Sequence, residues 1–388
     1  MVTPTPAVRH DKKSQLMPVD LPQLDLALCC ERQQRLLGVL ETARVERAIL
    51  TKAEHVQYFT GFRSHHLMTA AICVDANGCL LVAPNEEPLR HAATRVTTFQ
   101  AQWLCTLRQD QEIAAAGTLK DALGGAMTSR LAIEGSANGT VFCQAMGVTD
   151  LLAVVDIEPE ILKLRRNKDP DEVAMIRHAI GGTEAMYARA REIIGPGITE
   201  LQVFNELQVA AVDAIGEPLT GTGNDYQSNS PGGPPRNRAA KDGELFVLDL
   251  GPAYRGYYAD NCRTFAVNGE PTDEQLKARE LIVSVLNHVV TTVKPGISCA
   301  ALFAEAKAML DEYEPDSFCH HLGHGIGLFP HETPHLNSSW DDTFQEGDVF
   351  TAEPGLYTET LRAGIRIEEN YLVTTNGVEQ LTRFPTEL

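Results

Sequence analysis

Apolar positions recur at helical spacing first between Leu24 and Arg47, where Leu28, Leu36, Leu37 and Leu40 fall on one stripe. Shorter apolar runs follow: RAIL, YFTGF, TAAICVD before the Asn77-Gly78 turn, CLLVAP, RLAIEG and AVVDIE. Each reads as a strand, and polar or helical pieces separate them. The pattern predicts a small α/β domain ending near Glu160. Residues 1–20 are polar and proline-bearing and read as a loose segment.

Between Leu162 and Pro170 the chain changes to LKLRRNKDP. Asp169 suits a helix cap, Pro170 the first helical position, and Glu172 completes a capping box. A helical pattern then runs towards Ile194, although Gly181-Gly182 weakens it. The joint divides the chain into residues 1–160 and residues 161–388. Within the second part, REIIGPGITELQVFNELQVAA and TTVKPGISCAALFAEAKAML echo each other, with their Pro-Gly pairs 99 residues apart. That interval is too long for a solenoid. It fits a duplicated αβ half folded back on its twin, or a chance recurrence of helix, Pro-Gly and helix.

Composition narrows the class. The chain has 388 residues, 43% hydrophobic and 22% charged, which suits a soluble globular protein of two domains. A net charge of −19 and a pI near 5.0 argue against nucleic-acid or anionic-membrane partners. No apolar run reaches the length of a membrane span, and the first residues lack the apolar core of a signal peptide. Nine cysteines without a CxxC pair suggest neither a disulfide framework nor a thiolate zinc site, so a reducing cytoplasm is expected.

The chemistry concentrates in three places. FVLDLGPAYRGYYADNCRTFAV, Phe246 to Val267, reads as a hairpin with one carboxylate per strand, Asp249 and Asp260. If it is centred between Tyr254 and Arg255, the two acids are cross-strand neighbours, roughly 5 Å apart at Cβ. Such a pair among apolar residues needs a proton or a cation. Next, five of the chain's twelve histidines lie in the 17 residues CHHLGHGIGLFPHETPH, from Cys319 to His335. Interleaved glycines argue against a helix there, and the cluster reads as a pocket wall, with His321 and His335 taken as ordinary surface or hydrogen-bonded histidines. Finally, VFTAEPGLYTETLRAGIRIEENYLVT reads as a second hairpin that sets Glu353 opposite Glu368, with Glu369 on a solvated face. Oxygen donors with one imidazole suit Mn²⁺, Co²⁺ or Zn²⁺, and four carboxylates suit two ions better than one.

With DLG…YYADNCRTF, GHGIGL…H, TAEPGLY and GIRIEEN in order, the chain resembles the pita-bread metallopeptidase family of aminopeptidase P, prolidase, methionine aminopeptidase and the metal-free creatinase. YFTGF and the joint at Leu162 resemble the amino-terminal domain of the two-domain members. The resemblance implies an α/β creatinase-like domain followed by a duplicated α+β pita-bread domain. It implies two divalent ions, Mn²⁺ first, held by Asp249, Asp260, His324, Glu353 and Glu368, with Asp260 and Glu368 bridging. Glu353 would also handle the proton of a metal-bridging hydroxide, His331 would steady the substrate, and His320 and Arg366 would support ligands or substrate. A homodimer is implied as well.

Two departures bear on the substrate. Where the family's peptidases read Pro-His-Gly, the loop here reads SNSPGGPPRNR, with Gly232 in the histidine's place. His65 and His66 of FRSHHLM read as ordinary surface histidines, with a substitute role in a dimer as the alternative. The arginine with which prolidases hold a dipeptide carboxylate is also absent from SSWDDTFQEGD, where Asp342 falls near the place. The expectation is therefore an Xaa-Pro peptidase acting on a peptide. The alternatives are a metal-dependent C–N hydrolase of a small amide metabolite, or a non-catalytic binding protein on the same fold.

Overall fold

The computed structural model describes residues 21–125, 130–137, 139–148 and 150–388, so the segment read as loose, 1–20, lies outside the described residues. The first helical stripe forms α1 (Leu26–Ala43), with the Asp25 carboxylate accepting from the Ala27 amide at 2.8 Å. β1 (Arg47–Leu50), α2 (Ala53–Thr60), β2 (Ala71–Asp75), β3 (Gly78–Pro84) and β4 (Arg95–Phe99) follow. A small ribbon, β5 (Gln102–Trp103) with β6 (Thr106–Leu107), precedes α3 (Gln111–Ala122). β7 (Leu131–Ile133), α4 (Gly139–Ala145), β8 (Val154–Asp156) and α5 (Glu158–Arg166) complete this part, α5 running past the division expected after residue 160. Its strands form one mixed sheet in the order β4-β3-β2-β1-β7-β8. One expectation fails. YFTGF is the end of α2, closed by Gly61 at φ 71°, because a short apolar run that is buried all round looks alike in a helix and a strand.

α6 (Pro170–Ile193) starts as its capping signals predict, with Glu172 accepting from the Asp169 amide at 3.0 Å. It runs unbroken through Gly181-Gly182. A β-carbon on Gly182 would stand 2.6 Å from Cδ1 of Ile215 at the end of α7 (Glu200–Ile215), so the glycine allows the two helices to approach. α8 (Asp273–Thr292) and α9 (Cys299–Leu310) repeat the arrangement. Gly197 and Gly296 turn the chain at φ 96° and 93°, and Thr199 and Ser298 then cap α7 and α9.

Each helix pair accompanies an antiparallel sheet. The first holds β9 (Asp225–Ser228), β10 (Leu245–Leu250) and β13 (Asn261–Ala266), with β11 (Ala253–Tyr254) and β12 (Tyr257–Tyr258) continuing the hairpin. The second holds β14 (Gly323–Gly325), β15 (Glu332–Leu336), β16 (Val349–Ala352), β19 (Glu369–Thr374) and β20 (Gly377–Gln380), with β17 (Gly355–Leu356) and β18 (Ile365–Arg366) extending it. Phe246 and Leu248 of β10 pack with α6 and α7, whereas Leu245 and Val247 join the core of α8, α9, Phe350 and Tyr371. Asp249 shares the parity of Leu245 and Val247, which turns it towards the second half.

Candidate metal centre

Register decides which carboxylates meet. In the first hairpin Leu250 pairs with Asn261, Ala253 with Tyr258 and Tyr254 with Tyr257, so the turn is Arg255-Gly256, both at positive φ. The expected centre is therefore one residue too early. Asp249 stands opposite Cys262, and Asp260 is its diagonal neighbour on the same face. The second hairpin has the expected register: Ala352 pairs with Glu369 and Gly355 with Arg366, which sets Glu353 opposite Glu368 between them. The Glu368 amide donates to Cys262 O at 3.0 Å and ties the two sheets together at this point.

Ligand atoms of Asp249, Asp260 and Glu368 lie within 4.8 Å of one another, and so do those of His324, Glu353 and Glu368. Asp260 also groups with His324 and His331. The His324 ring donates from Nδ1 to Gly325 O at 3.1 Å, leaving the Nε2 lone pair facing Asp260 and Glu353 at 3.7 Å each. Burial, with His331 and His321 nearby, holds His324 well below the usual histidine range, so the ring is neutral. Burial also raises all four carboxyls, and neighbouring acids add to it: Asp225 for Asp249, and other members of the cluster for Asp260, Glu353 and Glu368. Glu353 is pushed up to about 8 against the pull of Arg366. Glu368 Oε2 is buried without a hydrogen-bond donor. Converging oxygens, an orphaned lone pair and one aimed imidazole nitrogen are what divalent cations require. The donor set fits them.

Around this cluster lies a hydrogen-bonded frame. Arg366 Nη2 donates to Asp249 Oδ2 at 2.9 Å and pairs with Asp225, while Nη1 donates to the Tyr357 hydroxyl at 3.1 Å. Tyr357 donates to His320 Nε2 at 2.9 Å, and His320 Nδ1 donates to His321 O at 2.8 Å. Burial and Arg366 lower His320 to about 3, so it too is neutral. His331 is exposed and stacks on His324 with ring centroids 3.8 Å apart. It opens onto a cavity of about 420 Å³ lined also by Leu162, Arg165, Phe329 and His335.

Some side chains were misjudged or missed. His321 belongs to the cluster, with Nε2 3.2 Å from Glu353 Oε1, and is no ordinary surface residue. Glu369 is buried and paired with Arg263 at 2.5 Å, because the first sheet covers the face expected to be solvated. Asp225 and Tyr357 were not anticipated. Tyr357 could have been found from its place three residues beyond Pro354. Nothing local marks Asp225, which enters through the pairing of β9 with β10.

A family model described as "Metallopeptidase family M24" matches residues 174–375, and a "Creatinase/Prolidase N-terminal domain" model matches residues 32–166. The chain belongs to metallopeptidase family M24. It is similar to the Xaa-Pro dipeptidase of Pyrococcus furiosus, 28% identical over 92% of this chain and 99% of the relative. The Xaa-Pro dipeptidase of Pyrococcus horikoshii is 31% identical over 60% of this chain and 67% of the relative. The solved prolidase from Pyrococcus furiosus superposes with a TM-score of 0.75 at 26% identity, covering 90% of this chain and 99% of that one. The architecture is thus a creatinase-type domain followed by the M24 pita-bread domain. The protein is an M24 peptidase, a hydrolase of a class that uses divalent metal ions.

Both departures take physical form in this M24 chain. Gly232 faces the carboxylate of Asp225, not empty space. Asp342 accepts from the His335 amide at 2.8 Å and pairs with His335 Nδ1 at 2.9 Å, which makes His335 a hydrogen-bonded residue as expected. The rings of His65 and His66 lie 4.4 Å apart at a tilt of 33°, and His66 lines a separate cavity with Lys52 and Phe142. No helix of the described residues is long and apolar enough to cross a membrane.

Proposed function

We propose that this protein is a dinuclear metal-dependent Xaa-Pro peptidase acting on peptides longer than two residues. The observation that carries the proposal is the sharing of Glu368 between two ligand groups, one with Asp249 and Asp260 and one with His324 and Glu353. Asp249, Asp260, His324, Glu353 and Glu368 would hold the ions, Asp260 and Glu368 serving both. Bound ions supply Lewis-acid polarisation of the scissile carbonyl and a water that ionises near neutral pH. Glu353 takes and returns the proton at its carboxylate, beside His321 Nε2. His331, at the cavity wall, steadies the carbonyl side of the substrate. His320, Tyr357 and Arg366 keep Asp249 in place.

The Xaa-Pro specificity draws on the names of the relatives, and the length preference on charges in this chain. Of the cations along the cavity, Arg165 holds Glu332 and Lys52 holds Glu158 at 2.5 Å. Arg366 is shared by two aspartates. The carboxylate of a dipeptide meets no unpaired cation among these residues. Gly232, which offers no side chain, favours a second reading: hydrolysis of a small amide C–N bond. The assembly proposed is a cytoplasmic homodimer, which sedimentation velocity tests, with Mn²⁺ as the working ion ahead of Co²⁺ or Zn²⁺.

The deciding assay compares an Xaa-Pro dipeptide, an Xaa-Pro-Yaa-Yaa peptide and N-acyl amide metabolites, using metal-stripped protein reloaded with Mn²⁺. Cleavage of the longer peptide at the Xaa-Pro bond, at least tenfold above the dipeptide in kcat/KM, is the expected result. Turnover of the amides alone would replace the first reading with the second.

A further inference from the structure

A β-carbon placed on Gly232 would stand 2.4 Å from Asp225 Oδ2, 2.6 Å from its Cγ and 2.8 Å from Oδ1. Separations this short do not occur between a β-carbon and its neighbours, so the Asp225 carboxylate fills the volume that any side chain at 232 would need. Asp225 has little freedom to yield. Its Oδ1 accepts from the Gly233 amide at 2.6 Å, and its Oδ2 pairs with Arg366 Nη2. Its backbone is fixed opposite Asp249 in the β9–β10 ladder. The same Nη2 donates to Asp249 Oδ2, whereas Arg366 Nε is buried without an acceptor. The guanidinium is therefore located by Asp225, Asp249 and Tyr357.

We propose that Asp225 is a positioning residue of this site: it stands where a side chain from the 229–235 loop would otherwise reach, and by anchoring Arg366 it fixes the carboxylate of Asp249. Arg366 then acts as a brace between two aspartates and not as a clamp for substrate. Residues 225 and 232 form a size-matched pair. A larger residue at 232 must expel the acid and release Asp249, and a smaller residue at 225 makes the room. The inference rests on reading Asp249 as a metal ligand.

The test uses the full chain, stripped of metal, and measures Mn²⁺ affinity by titration calorimetry and Tm by calorimetric scanning. Asp225→Asn keeps the shape and the Gly233 hydrogen bond but removes the charge. It is expected to weaken Mn²⁺ binding 10- to 100-fold, the range found when a partner of a metal ligand is lost, with little change in the metal-free Tm. Gly232→Ala is expected to lower the metal-free Tm, and adding Asp225→Gly to it is expected to raise the Tm again. Unchanged Mn²⁺ affinity in Asp225→Asn overturns the positioning role. Additive Tm changes of Gly232→Ala and Asp225→Gly overturn the size-matched pair, and that comparison stands even if Asp225→Asn does not fold. A parent chain that binds no Mn²⁺ would instead overturn the metal reading, leaving the Tm comparison to decide the packing.

Discussion

At the scale of single residues, the proposed site would divide into groups that hold a cation and groups that hold those groups. Glu353 is buried, faces three histidines, and is the carboxylate proposed to take the proton of the attacking water. Glu353→Gln keeps the shape but removes the proton acceptor. A fall in kcat of about 10²- to 10⁴-fold is expected, the usual worth of a positioned general base, with the folded state intact by circular dichroism. Tyr357 plays the second kind of part. Its hydroxyl links Arg366 to His320, and Tyr357→Phe removes both hydrogen bonds without changing the ring. A drop of about tenfold in Mn²⁺ affinity is expected, in keeping with lost support of a ligand. An affinity equal to the parent's would show that Arg366 needs no tyrosine. His320 and His331 differ as well: the first is locked into this chain of hydrogen bonds, and the second is exposed at the cavity wall, stacked on His324.

At the scale of elements, the two hairpins explain what the sequence made legible. Glu353 and Glu368 lie symmetrically about a loop, and the strands pair about that loop's middle, so their meeting was readable from spacing. The Asp249–Asp260 hairpin turns instead on Arg255-Gly256, which must both take positive φ, and so the register moves by one residue. Spacing alone cannot see that choice, because Pro252 and Gly256 are both residues that suit a turn. Asp225 was invisible for a different reason: its strand joins β10 from across a loop, and such pairing leaves no local pattern. Glu369 was misread because its partner Arg263 comes from the other sheet. The β14–β15 pair supplies a test at this scale. A β-carbon on Gly325 would stand 2.2 Å from the Thr333 carbonyl oxygen, and that atom is backbone and cannot swing away. Gly325→Ala must part the strands beside His324. A loss of about 1–3 kcal/mol, the usual cost of overpacking, should appear in urea denaturation, together with weaker Mn²⁺ binding. A variant as stable as the parent would mean the strands part at no cost.

At the scale of the whole molecule, buried ion pairs clamp the amino-terminal part onto the catalytic part. Arg32 of α1 pairs with Asp169 at 2.9 Å and with Asp171, and Arg166 pairs with Asp348 at 2.7 Å. Glu332, next to His331, is held by Arg165 and by Lys168 at 2.9 Å. Arg165 in turn donates to His55 Nε2 at 3.1 Å, and His55 Nδ1 lies 2.5 Å from Glu134. Burial would raise Glu332, but Arg165 and Lys168 outweigh it and hold the carboxyl down to about 2. Its folded value lies below its unfolded one, so the stability it contributes is present above about pH 4.5 and is lost as pH falls through about 2. Glu332→Gln leaves two buried cations without their acid. A loss of about 3–5 kcal/mol at pH 7 is expected, the usual cost of breaking such a pair, and the variant's stability should fall less than the parent's between pH 5 and 2. A variant with the parent's acid profile would remove Glu332 from the clamp. The central claim, that the two halves of the catalytic part assemble a site for two ions, has a more direct test. Metal-stripped full-length protein is titrated with Mn²⁺, and bound metal per chain is counted by mass spectrometry while Xaa-Pro cleavage is followed. Two ions per chain, with cleavage abolished by chelation and restored by Mn²⁺, is the predicted result; a chain that binds one ion or none, or cleaves equally well without metal, would contradict it.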